Sequence, residues 1–170
     1  SLPYSDSLSL IVNPTTCDQR KKGGEMLEEM GYKVYHLEIP PTKDTEEARL
    51  YYQRSVKRFA IELEKITGQK VTKNRLAEAI KRLNRARSEF RRLQNIRKQY
   101  PAVIDGKDVF LVTNAYFFDD IDRWTDALSK LNNEIEERWR NRFSSASKNS
   151  PRILFTGSPP IFPYLKLPIL

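Results

Sequence analysis

Cys17 is the residue of this chain with the widest choice of chemistry. It is the only thiol among 170 residues, and it follows a short β-type run, Ser7 to Val12, and an Asn13-Pro14 turn signal. A helical pattern begins directly after it. The unpaired N–H groups of a helix's first turn, together with the positive end of its dipole, favour negative charge on a nearby atom. Arg20, Lys21 and Lys22 add cations. In an open α/β sheet, ligands collect outside the carboxyl ends of the strands, and Cys17 belongs at such an end. A thiol so placed can bind a metal, and it can equally be an inert, buried side chain. One cysteine cannot hold zinc or an iron–sulfur cluster by itself, so as a ligand Cys17 needs donors from elsewhere. A second strand-end loop, Thr156-Gly157-Ser158-Pro159, has the geometry to meet the first across the same edge. There Gly157 permits close backbone approach and Ser158 offers a hydroxyl, although an ordinary strand-to-helix connection explains both residues as well.

The other reactive side chains favour structural readings. His36, the single histidine, lies within a strand between Tyr35 and Leu37, where a hydrogen-bonded structural role is expected. With one histidine and no acid placed to complete a triad, acyl hydrolysis by such a device is disfavoured. Asp119, Asp120 and Asp122 suggest Mg²⁺, but acids in a helix's first turn also complement its dipole. No Walker loop or dinucleotide fingerprint is present, because Gly23-Gly24 falls inside the first helix rather than in the strand–helix turn.

Charge is concentrated in one place. Residues 73–100 hold ten Lys and Arg against two Glu, an excess equal to the net charge of the whole chain, +8. The basic side chains Lys81, Arg85, Arg91 and Arg92 lie off the apolar stripe of that segment. They form either a solvated face or a surface for an acidic partner or a phosphate-bearing ligand. Interleaved aromatics and a nucleic-acid-binding motif are absent, so no nucleic-acid partner is expected.

Several elements must position these residues. A strand, the helix ending at Gly31 with Asp18 or Thr16 as its N-cap, and a second strand over 33–39 make a βαβ unit with parallel strands. Two long helices follow. The first is capped by Asp44, with Leu50, Tyr51, Val56, Phe59, Ala60, Leu63 and Ile66 on its apolar face. The second is capped by Thr72, with Leu76, Ile80, Leu83, Phe90, Leu93, Ile96 and Tyr100 in a stripe, and together the two predict an αα-hairpin. Residues 103–118 read as strand by side-chain type and as helix by the Asp105–Asp108 start signal. Ile121, Trp124, Leu128, Leu131, Ile135 and Trp139 define a further helix over 119–143. A polar tract then leads to a last strand, 152–156.

Composition bounds the rest. With 39% hydrophobic and 31% charged residues the chain has material for a core. No apolar run approaches the roughly 20 residues of a membrane span, and no membrane partner is expected. One cysteine excludes an internal disulfide and fits a reduced, cytoplasmic setting. The chain starts without Met and stops in an apolar run, Leu167 to Leu170, as expected of a segment of a longer protein.

The string Ile11-Val-Asn-Pro-Thr-Thr-Cys-Asp-Gln-Arg-Lys-Lys22 resembles the TTCD-x-x-KK segment of the 2-hydroxyacyl-CoA dehydratase family, which includes benzoyl-CoA reductase subunits and double-cubane-cluster reductases. Supporting strings follow in order: Leu37-Glu38-Ile39-Pro40, residues 66–72, residues 76–80 with Asn84-Arg85, and Thr156-Gly157-Ser158-Pro159. The resemblance, closest to a 2-hydroxyglutaryl-CoA dehydratase D-component, implies a radical enzyme. Cys17 would ligate a [4Fe–4S] cluster with cysteines from elsewhere in the full chain, and Thr16, Gly157 and Ser158 would lie at the cofactor site. It also implies a second dehydratase subunit, an acyl-CoA substrate, and an ATP-dependent iron–sulfur activator that delivers one electron to the thioester carbonyl. The resulting ketyl radical expels the 2-hydroxyl and yields an enoyl-CoA. Arg85 and its neighbours become candidates for the activator or the CoA phosphates, and residues 103–118 become helical.

The expected fold is therefore α/β: a small parallel flavodoxin- or Rossmann-like sheet with flanking helices and a long αα-hairpin. Residues 1–43 would form the βαβ unit, 44–143 a helical insertion, and 144–170 the start of the next β–α unit. Alternatives are an aromatic-ring or double-cubane reductase subunit, or a non-enzymatic binding or assembly subunit.

Overall fold

The computed structural model describes residues 7–151 and 153. Seven elements follow one another: β1 (Ile11–Pro14), α1 (Asp18–Glu29), β2 (Val34–Leu37), α2 (Glu46–Thr67), α3 (Lys73–Ile96), α4 (Gly106–Ala115) and α5 (Ile121–Arg140). The described chain is thus mostly helical, with five helices and one two-stranded parallel sheet. It divides into two compact units, residues 1–73 and 74–170.

In the first unit β1 and β2 pair in parallel, with Ile11 opposite Val34 and Pro14 opposite Leu37. The helix between them ends as its sequence requires. Gly31 sits at φ +88°, its N–H donates to the Glu28 carbonyl, and that of Tyr32 donates to the Leu27 carbonyl. This is the paired closure that a left-handed glycine permits. α1 packs against both strands, and α2 packs on β2, where the rings of Tyr35 and Phe59 lie 5.1 Å apart. The N-cap of α2 is Thr45, one residue beyond the expected Asp44: the Thr45 Oγ1 accepts from the Ala48 N–H at 3.1 Å, the reach an N-cap hydroxyl needs. Gly68, at φ +68°, closes the helix.

Burial in this unit is thin. Only Asn13, Gly24, Ala48 and Ser55 are fully buried among its described residues. On the apolar face expected of α2, Phe59, Ala60, Leu63 and Ile66 are half-buried while Leu50, Tyr51 and Val56 are exposed. Two strands offer too little surface to cover a 22-residue helix.

The second unit carries the core. Ala86, Leu93 and Ile96 of α3, Val103 and Ile104 of the following loop, Val109 of α4, and Trp124, Leu128 and Ile135 of α5 form one buried cluster. Phe90, Val112, Ile121 and Leu131 pack against it. Residues 106–115 are helical despite their β-branched content, because Val109 and Val112, three residues apart, both face this cluster. The Trp124 indole N–H donates to the Val112 carbonyl at 2.9 Å, tying α5 to α4. Of the α3 stripe, Phe90, Leu93 and Ile96 belong to this cluster or pack on it, whereas Leu76 and Ile80 are exposed. The expected strand over 152–156 lies outside the described residues, apart from Ile153.

Candidate functional site

Cys17 stands between the end of β1 and the start of α1, and its surroundings fix that placement. Thr15 donates its N–H to the Leu37 carbonyl at 3.0 Å, and its hydroxyl accepts from the Ile39 N–H at 3.2 Å, so the turn is tied to the residues at the end of β2. The Thr16 N–H donates to the Pro14 carbonyl at 2.9 Å, folding the backbone back before the helix begins.

The N-cap is neither Asp18 nor Thr16. Cys17 itself occupies it, extended at φ −156° and ψ 167°, and its side chain makes no capping hydrogen bond. A sulfur is a poor acceptor for backbone N–H groups. The thiol is exposed among the described residues and makes no capping hydrogen bond. Of the flanking cations, Lys21 pairs with Asp18 at 3.4 Å and Lys22 with Glu25 at 2.9 Å. That second contact holds the Glu25 carboxyl below its ordinary range.

Beneath the helix lies a polar contact that sequence reading missed. Asn13, buried, donates its amide to the Arg20 carbonyl at 2.9 Å and lies 3.4 Å from His36 Nδ1. His36 Nε2 in turn lies 3.3 Å from a Glu28 carboxylate oxygen. His36 is thus structural, as expected. The approach is close because residue 24 is glycine: a Cβ there would meet the Asn13 amide nitrogen at 2.3 Å and His36 Cε1 at 2.5 Å. The signal was present in a polar residue within a strand ten residues before a glycine pair, but its partner is known only once the strands are paired. Thr15 was missed likewise: Thr16, the residue singled out, is exposed, while Thr15 holds the turn.

The other candidates resolve into structure. Asp120 caps α5, accepting from the N–H groups of Asp122 and Arg123 at 3.0 and 3.1 Å. Asp119 accepts from Arg123, which lowers its carboxyl below the ordinary range, and Asp122 pairs with Arg82 at 2.8 Å. These acids are occupied, and no group of three His, Cys, Asp or Glu that could hold a metal exists among the described residues. The basic helix is occupied on one flank. Arg82, Arg85 and Arg92 reach Asp122, Asp126 and Glu136 of α5. Arg85, a candidate for CoA phosphates or the activator, is thus engaged by Asp126. Gly157 and Ser158 lie outside the described residues.

An exposed, uncapped thiol on a fixed turn fits the role of one ligand to a metal cluster, and this chain supplies one such sulfur. A family model for the 2-hydroxyglutaryl-CoA dehydratase D-component matches residues 1–170. The chain belongs to this family. Among curated proteins, this chain is similar to the "Putative dehydratase subunit YjiM" of Escherichia coli (strain K12), with 26% identity over 159 residues. The match covers 92% of this chain and 40% of that relative. No helix among its described residues is long and apolar enough to cross a membrane.

Proposed function

We propose that this chain is the part of a 2-hydroxyacyl-CoA dehydratase-type subunit that contributes Cys17 as one ligand of a [4Fe–4S] cluster. The observation that carries this reading is the exposed thiol at the N-cap of α1, left free of capping and held on a turn pinned by Thr15 and underlain by Asn13. When bound, such a cluster supplies a low-potential electron for reduction of an acyl-CoA thioester, with loss of water to an enoyl-CoA. The chain's own residues position. Thr15 fixes the approach of the backbone, Asn13 and Gly24 seat the helix on the sheet, and the open N–H groups of the first turn favour anionic sulfur nearby.

The remaining ligands and the acyl-CoA site belong to the rest of the subunit and to a second dehydratase subunit, and the electron donor is an ATP-dependent iron–sulfur activator, all in the cytoplasm. Thr16 belongs to the cofactor side of this proposed site, and the family resemblance assigns Gly157 and Ser158, which fall outside the described residues, to the same role. The two strands are part of a larger flavodoxin-like parallel sheet, a reading supported by how little of β1 and α2 is covered. In it residues 1–43 are the βαβ unit, 44–143 the insertion carrying the αα-hairpin, and 144–170 the start of the next β–α unit. A benzoyl-CoA-type or double-cubane reductase subunit is the alternative within the family, and a non-enzymatic assembly subunit the alternative outside it.

Anaerobic iron reconstitution of the full-length protein tests the reading. About four irons per subunit are expected of a dehydratase, about eight of the double-cubane type and none of an assembly subunit. Cys17→Ala should abolish cluster uptake in the full-length protein, and full iron retention would remove Cys17 from the site. The isolated 170-residue chain, with one cysteine, should take up no stoichiometric cluster.

A further inference from the structure

The hydrogen bonds around His36 fit one protonation state of its ring. Side chains alternate along β2, so Tyr35 turns to α2, where its ring meets Phe59, and His36 turns to α1. There Nδ1 meets the Asn13 amide nitrogen and Nε2 meets Glu28. Asn13 must keep its N–H2 toward Arg20, because its own oxygen in that place would face the Arg20 carbonyl at 2.9 Å. The same N–H2 donates to His36 Nδ1 only while Nδ1 carries no proton. Nε2 then holds the one ring proton and donates it to the Glu28 carboxylate. The packed arrangement therefore belongs to neutral His36 in a single tautomer.

A second proton breaks it. Placed on Nδ1, it sets N–H against N–H across a contact of 3.4 Å. Asn13 is buried with Gly24 against its amide, so the amide must either turn over and give up the Arg20 carbonyl or part from the ring. Either outcome costs an internal hydrogen bond that ties β1 to the start of α1. The charges around the ring nevertheless invite that proton. Glu28 of α1 lies at 3.3 Å, and Glu25 of α1, engaged mainly by Lys22, also feels the ring. β1 presents no charged side chain. α2 lies on the Tyr35 side of β2, where its Arg58 and Glu62 pair with Glu38 and Lys33.

We propose that His36 is a pH-operated latch on α1. Neutral, it keeps the first turn of the helix seated through Asn13. Protonated, it lets that end go and holds the helix by Glu28 in the last turn. The released end carries Cys17 at its N-cap, so acid frees the backbone that positions the thiol. The latch acts on the seat of the helix and stands whatever Cys17 binds.

Hydrogen exchange in the full-length protein, read by mass spectrometry from about pH 8 to about pH 5 and corrected for the intrinsic rate at each pH, tests it. Protection of the backbone amides of residues 21–24 should fall about fivefold or more toward the acid end, the effect of losing one internal hydrogen bond, while α5 keeps its protection. His36→Gln, which offers an acceptor and a donor but does not titrate, should abolish the fall. Glu28→Gln removes charge that favours the second proton, so the fall should remain with its midpoint moved to lower pH. Protection that does not change with pH, a fall matched in α5, a fall that survives His36→Gln, or a midpoint unmoved by Glu28→Gln overturns the proposal. None of these readings involves iron uptake, so the latch and the cluster reading fail separately.

Discussion

Gly24 and Gly23 are neighbours in one helix with opposite tasks. A methyl group at residue 24 would lie inside the van der Waals shells of Asn13 and His36, whereas at residue 23 it meets nothing within 4 Å. Gly24→Ala should therefore destabilise by about 1–3 kcal/mol through overpacking. Gly23→Ala should stabilise by about 0.5–1 kcal/mol through helix propensity. Urea unfolding of the pair reads both signs, and equal effects would deny the close seating of α1. The Gly24→Ala lesion should also reach the thiol, because α1 must lift from Asn13 at the end that carries Cys17. A changed rate of Cys17 alkylation would report this, with the Gly23→Ala rate unchanged.

At the scale of elements, α3 and α5 are joined by an apolar seam and a charged one. Arg92 donates to both carboxylate oxygens of Glu136 at 2.8 and 2.7 Å and to Asn133 Oδ1 at 2.7 Å. The hydrogen bond from Arg92 is the main reason the Glu136 carboxyl sits below its ordinary range, with burial opposing it. A depressed carboxyl stabilises the fold fully above its unfolded value, near about 4.3, and that stability is lost as pH falls through the lower folded value. Glu136→Gln should thus cost about 1 kcal/mol at neutral pH, and the gap from the parent protein should close in acid. A gap that widened in acid would contradict the sign. Asp120→Ala, removing the cap of α5, should cost about 1 kcal/mol in the same assay. Much of this element order was legible in the sequence. Spacing identified the α5 stripe, and Gly31 and Gly68 marked helix ends where they occur. Spacing reports which residues share a face, but not whether a partner covers it, so Leu76 and Ile80 were grouped with Leu93 although only Leu93 is buried. The arginines of α3 were legible as basic, but the acids that answer them lie over 30 residues away along the chain, in α5.

Across the whole molecule, burial is unevenly shared. The second unit encloses nine apolar side chains in one cluster, and the first fully buries no large apolar side chain among its described residues. Residues 74–151 alone should melt cooperatively, while residues 1–73 alone should show a broad, non-cooperative loss of helix by circular dichroism. A sharp transition in the shorter piece would contradict this account. The candidate site lies in the unit with the thinner burial, and one cysteine in the sequence could point to Cys17 but to no further ligand.

The rim of β1 carries its own consequence. Ile11 and Thr15 turn their N–H groups to β2, so by alternation Val12 and Pro14 face the opposite side. Proline brings no donor there, and its carbonyl is already taken by Thr16. Any strand added along that side runs out of ladder at Pro14, three residues short of the sulfur. However wide the completed sheet becomes, its hydrogen-bond ladder on that side ends at Pro14.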